Sequence, residues 1–305
     1  MEDRTKYLGG SDCAGVLGLS RWTTPLKIWA EKTGQIKPKD ISDKICVKLG
    51  NRLEDIVAEM FCEKTGKKVR RVNETIFHSK YNFLGANIDR RLVGENTILE
   101  CKTCSAWKAK EWEGEEIPQE YILQVLHYLA VTGARTAYIA VLIGNQDFVY
   151  KEVQRDEKII SDIIKKEVSF WNNFVLKNEM PMQITKNDAD TLYNLFPNAE
   201  PESEIELDDT SAQLFETRQA LLQDKNHIVG LLEKTDNEIK SLLKDKEIGK
   251  VGNWVATWKK QVSKRIDTKR IKDERPDICD NFLKTIESRV LRIKEIKEKT
   301  EVIKK

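Results

Sequence analysis

The stretch ANIDRRLVGENTILECKTC, Ala86 to Cys104, decides how this 305-residue chain folds. Gly94, Glu95 and Asn96 supply turn chemistry between two extended runs, which predicts a β-hairpin. The difficulty is what the strands carry: Asp89 in the first, Glu100 and Lys102 in the second, among Ile, Leu and Cys neighbours. Alternate residues of a strand face opposite sides, so Glu100 and Lys102 share one face and Cys101 takes the other. Asp89, across the turn, is placed to meet both. Two converging carboxylates repel each other and lose hydration, a cost that a divalent cation removes. Hard oxygen donors suit Mg²⁺, with Mn²⁺ able to substitute, and such ions keep waters and accept phosphate oxygens. Lys102 beside the ion would orient or deprotonate a water, or steady charge on a phosphorane-like transition state. The competing assignment is a Glu100–Lys102 salt bridge on a solvated strand face. Three neighbours weigh against it: Asp89 at hairpin distance, Glu54 inside an otherwise apolar helix, and Gln124 and Tyr128 on one helix face.

Upstream of the hairpin, Ser11 follows Gly9 and Gly10 as an N-cap candidate for a short helix of small residues. Thr24, Pro25 and Gly34 read as the cap, first position and stop of a second helix. Leu49, Leu53, Ile56, Val57, Met60 and Phe61 recur at helical spacing in a third helix that carries Glu54 and stops at Gly66. Short strands are expected in KKVRRVN and TIFHS. Downstream, PQEYILQVLHYLAVTG reads as a helix, TAYIAVLIG as a buried strand and DFVYKEVQ as its hairpin partner. A helix over about 156–177 has Ile159, Ile163, Val168, Trp171 and Val175 as core candidates. Residues 181–209, with Pro197 and Pro201, read as a linker or surface wrap. Beyond lie a long charged helix over about 211–246, with Leu214, Leu221 and Ile228 at heptad spacing, a hairpin around Trp254, and a last helix over about 278–296. The expected fold class is α/β (α+β): a mixed central sheet flanked by helices in a core of residues 1–200, then a mostly helical extension over 201–305 with a short hairpin.

Composition narrows the function classes. Lys plus Arg total 52 against 50 for Asp plus Glu, so indiscriminate electrostatic binding to nucleic acid is disfavoured and DNA contact must come from local clustering. No run approaches the roughly 20 apolar residues of a membrane span. The opening MEDRTKYLGG lacks the apolar stretch of a secretory signal, and scattered cysteines suit a reduced, cytoplasmic setting.

Asp89 with Glu100-Cys101-Lys102 resembles the D…(D/E)-x-K signature of the restriction-endonuclease-like, or PD-(D/E)XK, nucleases. GGSD, GLSRWTTPLKIWAEKTG, the helix carrying Glu54, and LECKT with its following Q-x-x-x-Y helix together resemble the YqaJ-like viral recombinase family. That family is related to the phage lambda exonuclease, and the resemblance covers about residues 4–155. It implies a Mg²⁺-dependent 5′→3′ double-strand DNA exonuclease of phage recombination, acting on duplex ends and leaving a 3′ strand for a single-strand annealing recombinase. By position it implies Asp89, Glu100 and the Cys101 carbonyl as metal ligands and Lys102 as the group activating water. Glu54 would serve a second metal or its water shell, Gln124 would hold the scissile or terminal phosphate, and Tyr128 would support it. The sequence departs at Asn87, in a region where the superfamily often shows Pro or a small residue. The resembling exonucleases assemble as trimeric rings. Alternatives of the same fold are an endonuclease or structure-specific DNase. A third reading is a non-catalytic module binding DNA ends or a recombinase.

A helix N-terminus attracts phosphate, and Gly9 and Gly10 permit close backbone approach. Ser11 adds a hydroxyl and Arg4 a guanidinium fork, and in the resembling exonucleases this region holds a terminal 5′-phosphate. Arg21 is a weaker candidate of the same kind. Lys67, Lys68, Arg70 and Arg71, then Lys108 and Lys110, then Lys259, Lys260, Lys264 and Arg265 are basic stretches able to track a duplex. Trp107 is assigned to core packing, with stacking on a frayed end as the alternative. Cys101 and Cys104 match C-x-x-C, but strand positions three apart face opposite sides, which argues against an iron–sulfur cluster or zinc. His127 is read as structural, and His78 and His227 have no partners visible in sequence.

Overall fold

A computed structural model describes residues 2–284 and 288–293, without the Cys279 side chain. The chain divides into two compact units, Met1–Pro197 and Asn198–Lys305. The first opens with a 3₁₀ turn, Arg4–Lys6, then β1 (Leu8–Gly9), α1 (Gly10–Val16), α2 (Pro25–Lys32) and α3 (Ile45–Thr65). Thr24 Oγ1 caps α2 by accepting from the Lys27 amide at 3.1 Å, and Gly66 ends α3 in the left-handed conformation.

Five short strands follow: β2 (Val69–Arg71), β3 (Ile76–Phe77), β4 (Leu84–Ala86), β5 (Arg90–Leu92) and the longer β6 (Thr97–Cys104). A 3₁₀ segment, Ala106–Trp112, leads to α4 (Gln119–Thr132), then β7 (Thr136–Ile143), β8 (Asp147–Gln154) and α5 (Glu157–Phe170). The main sheet has the order β2-β5-β6-β7-β8 and is antiparallel except for β6 and β7. A parallel pair needs a crossover, and α4 supplies it. A smaller sheet orders β1-β4-β3.

The alternation of β6 separates two apolar layers. Leu99 and Cys101 pack with Val57, Ala58 and Phe61 of α3, whereas Ile98 joins the larger core built on α1, α4 and α5. Glu100 and Lys102 share the face of Ile98 and therefore point toward α4. The helical stripes are shifted from expectation in two places. Leu49 and Ile56 of α3 are exposed, and Ile160 rather than Ile159 meets the core from α5.

Residues 181–197 are more than a wrap. Asp188 is fully buried, accepts from Thr24 Oγ1 at 2.5 Å, and precedes α6 (Ala189–Leu195), which packs on α2. The second unit holds α7 (Asp209–Leu243), the hairpin β9 (Ile248–Val251) and β10 (Trp254–Thr257), α8 (Thr268–Glu274) and α9 (Pro276–Asn281). The heptad residues Leu214, Leu221 and Ile228 are exposed. The helix expected over 278–296 stops at Asn281, and 288–293 are non-helical. Residues 285–287 and 294–296 lie outside the described residues.

Candidate active site

The register of the hairpin builds the site. Arg90 pairs with Leu99 across β5 and β6, so one step further along both chains sets Asp89 opposite Glu100. Asp89 lies just before β5, and its Oδ2 accepts from the Cys101 amide at 2.7 Å. Asn87 fixes the approach: its Nδ2 donates to Tyr7 Oη at 2.7 Å, and its Oδ1 accepts from Thr75 Oγ1 at 2.8 Å. The unexpected asparagine is therefore a clamp on the segment that delivers Asp89.

Glu100 is 4% exposed. Its Oε1 accepts from Lys102 Nζ at 2.6 Å and from Gln124 Nε2 at 2.8 Å. Its Oε2 is buried with no hydrogen-bond partner among the described residues. Burial and the Glu100 charge push the Asp89 acid up to about 8, against the hydrogen bond from Cys101. Burial opposes the Lys102 charge, yet the Glu100 and Asp89 carboxylates hold that ammonium above its usual range. One lysine thus faces two carboxylates, half-buried Asp89 and buried Glu100, the latter with an orphaned oxygen. A divalent cation held by hard oxygens fits this donor set.

Gln124 and Tyr128 stand one helical turn apart on α4, and Gln124 Nε2 also donates to Tyr128 Oη at 3.0 Å. Their positions depend on Gly10 at the start of α1. A β-carbon there would come within 2.4 Å of Tyr128 Cε1 and 3.0 Å of Gln124 Cγ. Gly10→Ala is expected to cost about 1–3 kcal/mol of stability and to slow DNA hydrolysis more than tenfold by displacing both side chains. Thermal melting and turnover of linear duplex check it.

Other expected residues are placed differently. Glu54 comes from α3, whose apolar face covers the opposite side of the sheet, and its Oε1 is bound by Arg90 at 2.5 Å and Arg71 at 3.2 Å. The two guanidiniums are shared with Asp55, and the Glu54 charge still reaches Asp89 and adds to the rise of that acid. Ser11 does not cap α1. Gly9 holds that position, the Asp12 carboxylate accepts from the Gly9 amide at 2.9 Å, and Ser11 sits exposed in the first turn. Arg4 is exposed and its guanidinium makes no ion pair among the described residues, but its charge is felt at Tyr128. Arg21 is no phosphate candidate, because it is spent bridging Glu111 at 2.8 Å and Glu120. In the basic stretch near β2, Lys67 pairs with Glu95 and Arg71 with Glu54. Cys101 and Cys104 pack into different layers, so C-x-x-C is not a ligand pair. Trp107 is not a core residue, being 96% exposed.

One buried cluster was not legible. Cys13, His127 and Glu167 bring their ligating atoms within 4.8 Å of one another, all buried. His127 Nε2 donates to the Gly85 carbonyl at 3.0 Å, and Nδ1 faces both Glu167 oxygens at 2.8 and 3.0 Å. Both ring nitrogens are therefore engaged, which makes the group a brace between α4, α5 and β4. The sole sequence signal is Glu167 standing on the apolar stripe of α5 with Ile160, Ile163 and Phe170.

The core of the chain has the fold of an alkaline exonuclease. It superposes on LHK-Exo from Laribacter hongkongensis with TM-score 0.50 at 17% identity, covering 58% of this chain and 91% of that one. The structure of LHK-Exo in complex with dAMP gives TM-score 0.50 at 19% identity over the same shares. Residues 1–135 match the YqaJ-like viral recombinase domain. The chain is also 44% identical over 298 residues to the uncharacterized protein YqaJ of Bacillus subtilis (strain 168), spanning 96% of this chain and 93% of that protein. It belongs to the YqaJ-like viral recombinase family.

Proposed function

We propose that the chain is a divalent-metal-dependent exonuclease that degrades one strand of duplex DNA from its 5′ end and leaves a 3′ single strand. The observation that carries this reading is the pairing of half-buried Asp89 with buried Glu100, with an unpartnered Glu100 oxygen and a single lysine at 2.6 Å. Asp89, Glu100 and the Cys101 carbonyl would hold Mg²⁺, or Mn²⁺ in its place. When bound, the ion supplies positive charge that polarises the phosphodiester and acidifies water. Lys102 orients the attacking water and steadies the charge that develops on the phosphoryl oxygens. Tyr128 Oη accepts from Gln124, so its own proton is available to donate to a phosphate oxygen. Gln124 spans Glu100 and Tyr128 and sets their spacing.

End recognition follows from the neighbouring segment. Gly10 brings the chain from Gly9 to Ser11 against Gln124 and Tyr128, and the Arg4 charge reaches the same tyrosine. Arg4 and the Ser11 hydroxyl would hold a terminal 5′-phosphate beside Gln124. LHK-Exo, which shares the fold, is known with dAMP bound, and mononucleotide release is the matching product here. The family's description as a viral recombinase domain supports an annealing recombinase as the recipient of the 3′ strand.

The test is incubation of linear duplex with Mg²⁺, comparing 5′-phosphorylated with 5′-hydroxyl ends. Degradation is expected from the 5′ end, faster with the phosphate, and Arg4→Ala should remove most of that preference. Absence of metal-dependent degradation by the wild type would refute the proposal, and equal cutting of closed circles would redirect it to an endonuclease.

A further inference from the structure

Two indoles stand in solvent beside the site. Trp107 is 96% exposed and Trp22 is 59% exposed, although tryptophan is the side chain that gains most from being covered. The backbone beneath both is pinned. Trp112, at the end of the Ala106–Trp112 turn, is buried and stacked on Tyr121 with centroids 5.4 Å apart. Arg21 ties the Trp22 loop to Glu111 of that turn and to Glu120 at the start of α4. The indoles are therefore held out by fixed structure.

Cations accompany them. Lys108 Nζ lies 4.8 Å from the centre of the Trp22 ring, and the Arg21 guanidinium lies at 5.4 Å. Lys108 and Lys110 have no ion pair among the described residues. Trp22 also walls a groove of about 430 Å³ lined by Lys27, Lys37 and Lys39 together with Glu31 and Asp190. The cluster joins the hydrolytic centre through Tyr121, whose ring lies 5.4 Å from Lys102 Nζ. Exposed aromatic faces interleaved with lysines match one ligand chemistry well: unpaired nucleobases that stack, with phosphates between them.

We propose that Trp22 and Trp107 form a stacking platform for the unpaired strand at a DNA end, with Lys108 and Lys110 holding its phosphates. This rests on the nuclease reading for its substrate and adds a single-strand subsite to it. The strand is the 3′ overhang that degradation from a 5′ end exposes.

Fluorescence anisotropy, with Ca²⁺ replacing Mg²⁺ to hold back turnover, compares a blunt duplex with one bearing a 3′ oligothymidylate overhang. Stacking of one base on an aromatic ring corresponds to at least about a fivefold change in affinity. The wild type is expected to prefer the overhang by that factor or more, and Trp107→Ala or Trp22→Ala to bring the ratio toward one. Trp107→Phe should keep most of the preference, and Trp107→Leu, which is apolar but cannot stack, should lose it. An overhang of abasic sites should bind like the blunt end. Melting curves confirm that each variant is folded. The proposal is overturned if the abasic overhang binds as tightly as oligothymidylate, or if Trp107→Ala keeps the wild-type ratio. It is equally overturned if Trp107→Ala changes only the particle mass in light scattering, which would make the face a contact between copies of the chain. Hydrolysis of linear duplex with Mg²⁺ is measured in parallel. Overhang preference without hydrolysis defeats the nuclease reading alone, and hydrolysis with an unaltered ratio defeats the platform alone.

Discussion

Replacing Asp89 by asparagine is expected to abolish DNA hydrolysis and to raise the melting temperature of the metal-free protein, whereas Lys102→Ala abolishes hydrolysis and lowers it. The opposite signs follow from the charge balance. Burial and the Glu100 charge raise the Asp89 acid to about 8, against about 3.9 in an unfolded chain. The folded state thus binds a proton that the unfolded state releases. The stability linked to that proton is complete below about pH 4 and is lost as pH rises through about 8. Asparagine removes the charge while its Oδ1 can still accept from the Cys101 amide. The gain should therefore approach about 5 kcal/mol at pH 8–9 and vanish near pH 4. Lys102→Ala does the reverse, because it leaves the buried Glu100 carboxylate with only the Gln124 hydrogen bond on Oε1. An uncompensated buried charge of this kind costs about 3 kcal/mol. Mg²⁺ should raise the wild-type melting temperature and leave Asp89→Asn unmoved, since the ion stabilises only the fold that binds it. Melting curves across pH, with and without Mg²⁺, read all three effects. An Asp89→Asn protein that melts below the wild type at pH 8 would show that the carboxylates are already balanced.

The parts of this site that local pattern reveals are those built by period and turn. The two-residue alternation of β6 put Glu100 and Lys102 on one face, and the turn at Gly94 brought Asp89 alongside. The helical spacing of Gln124 and Tyr128 set them on one side of α4. What local pattern missed was decided by distant partners. Nothing near Glu54 announces that Arg90 and Arg71 will claim it, because those arginines come from strands of a different segment. Trp107 reads as core because indoles usually are buried, but the buried place against Tyr121 belongs to Trp112 of the same turn, and Trp107 stands in solvent. The cap of α1 went to Gly9 because Asp12 reaches back to the Gly9 amide. The last helix is shorter than its spacing suggests: among the described residues it stops at Asn281, and Phe282 and Leu283 beyond it are exposed rather than held by a core.

Breaking the brace behind the site tests whether the hydrolytic geometry depends on it. His127 Nε2 faces a carbonyl and must donate, while Nδ1 faces the Glu167 carboxylate, so the ring carries both protons when the pair is charged. Burial alone would strip the imidazolium of its charge, but Glu167 and the Gly85 carbonyl outweigh it and raise the pKa. The stability from this pair is therefore complete below the ordinary histidine value, about 6.5, and is lost as pH rises through the higher folded value. Cys13 packs on the same carboxylate, and burial with the Glu167 charge keeps its thiol protonated. His127→Ala leaves Glu167 buried without its cation and should cost about 3–5 kcal/mol. Glu167→Gln retains a hydrogen-bonding partner for a neutral ring and should cost less than half of that, with a flatter stability profile between pH 6 and 9. Both variants should slow hydrolysis, because His127 adjoins Tyr128 on α4 and holds β4, the strand that leads through Asn87 to Asp89. Equal losses in the two variants, independent of pH, would mean that shape rather than charge sets the spacing of α4 and β4.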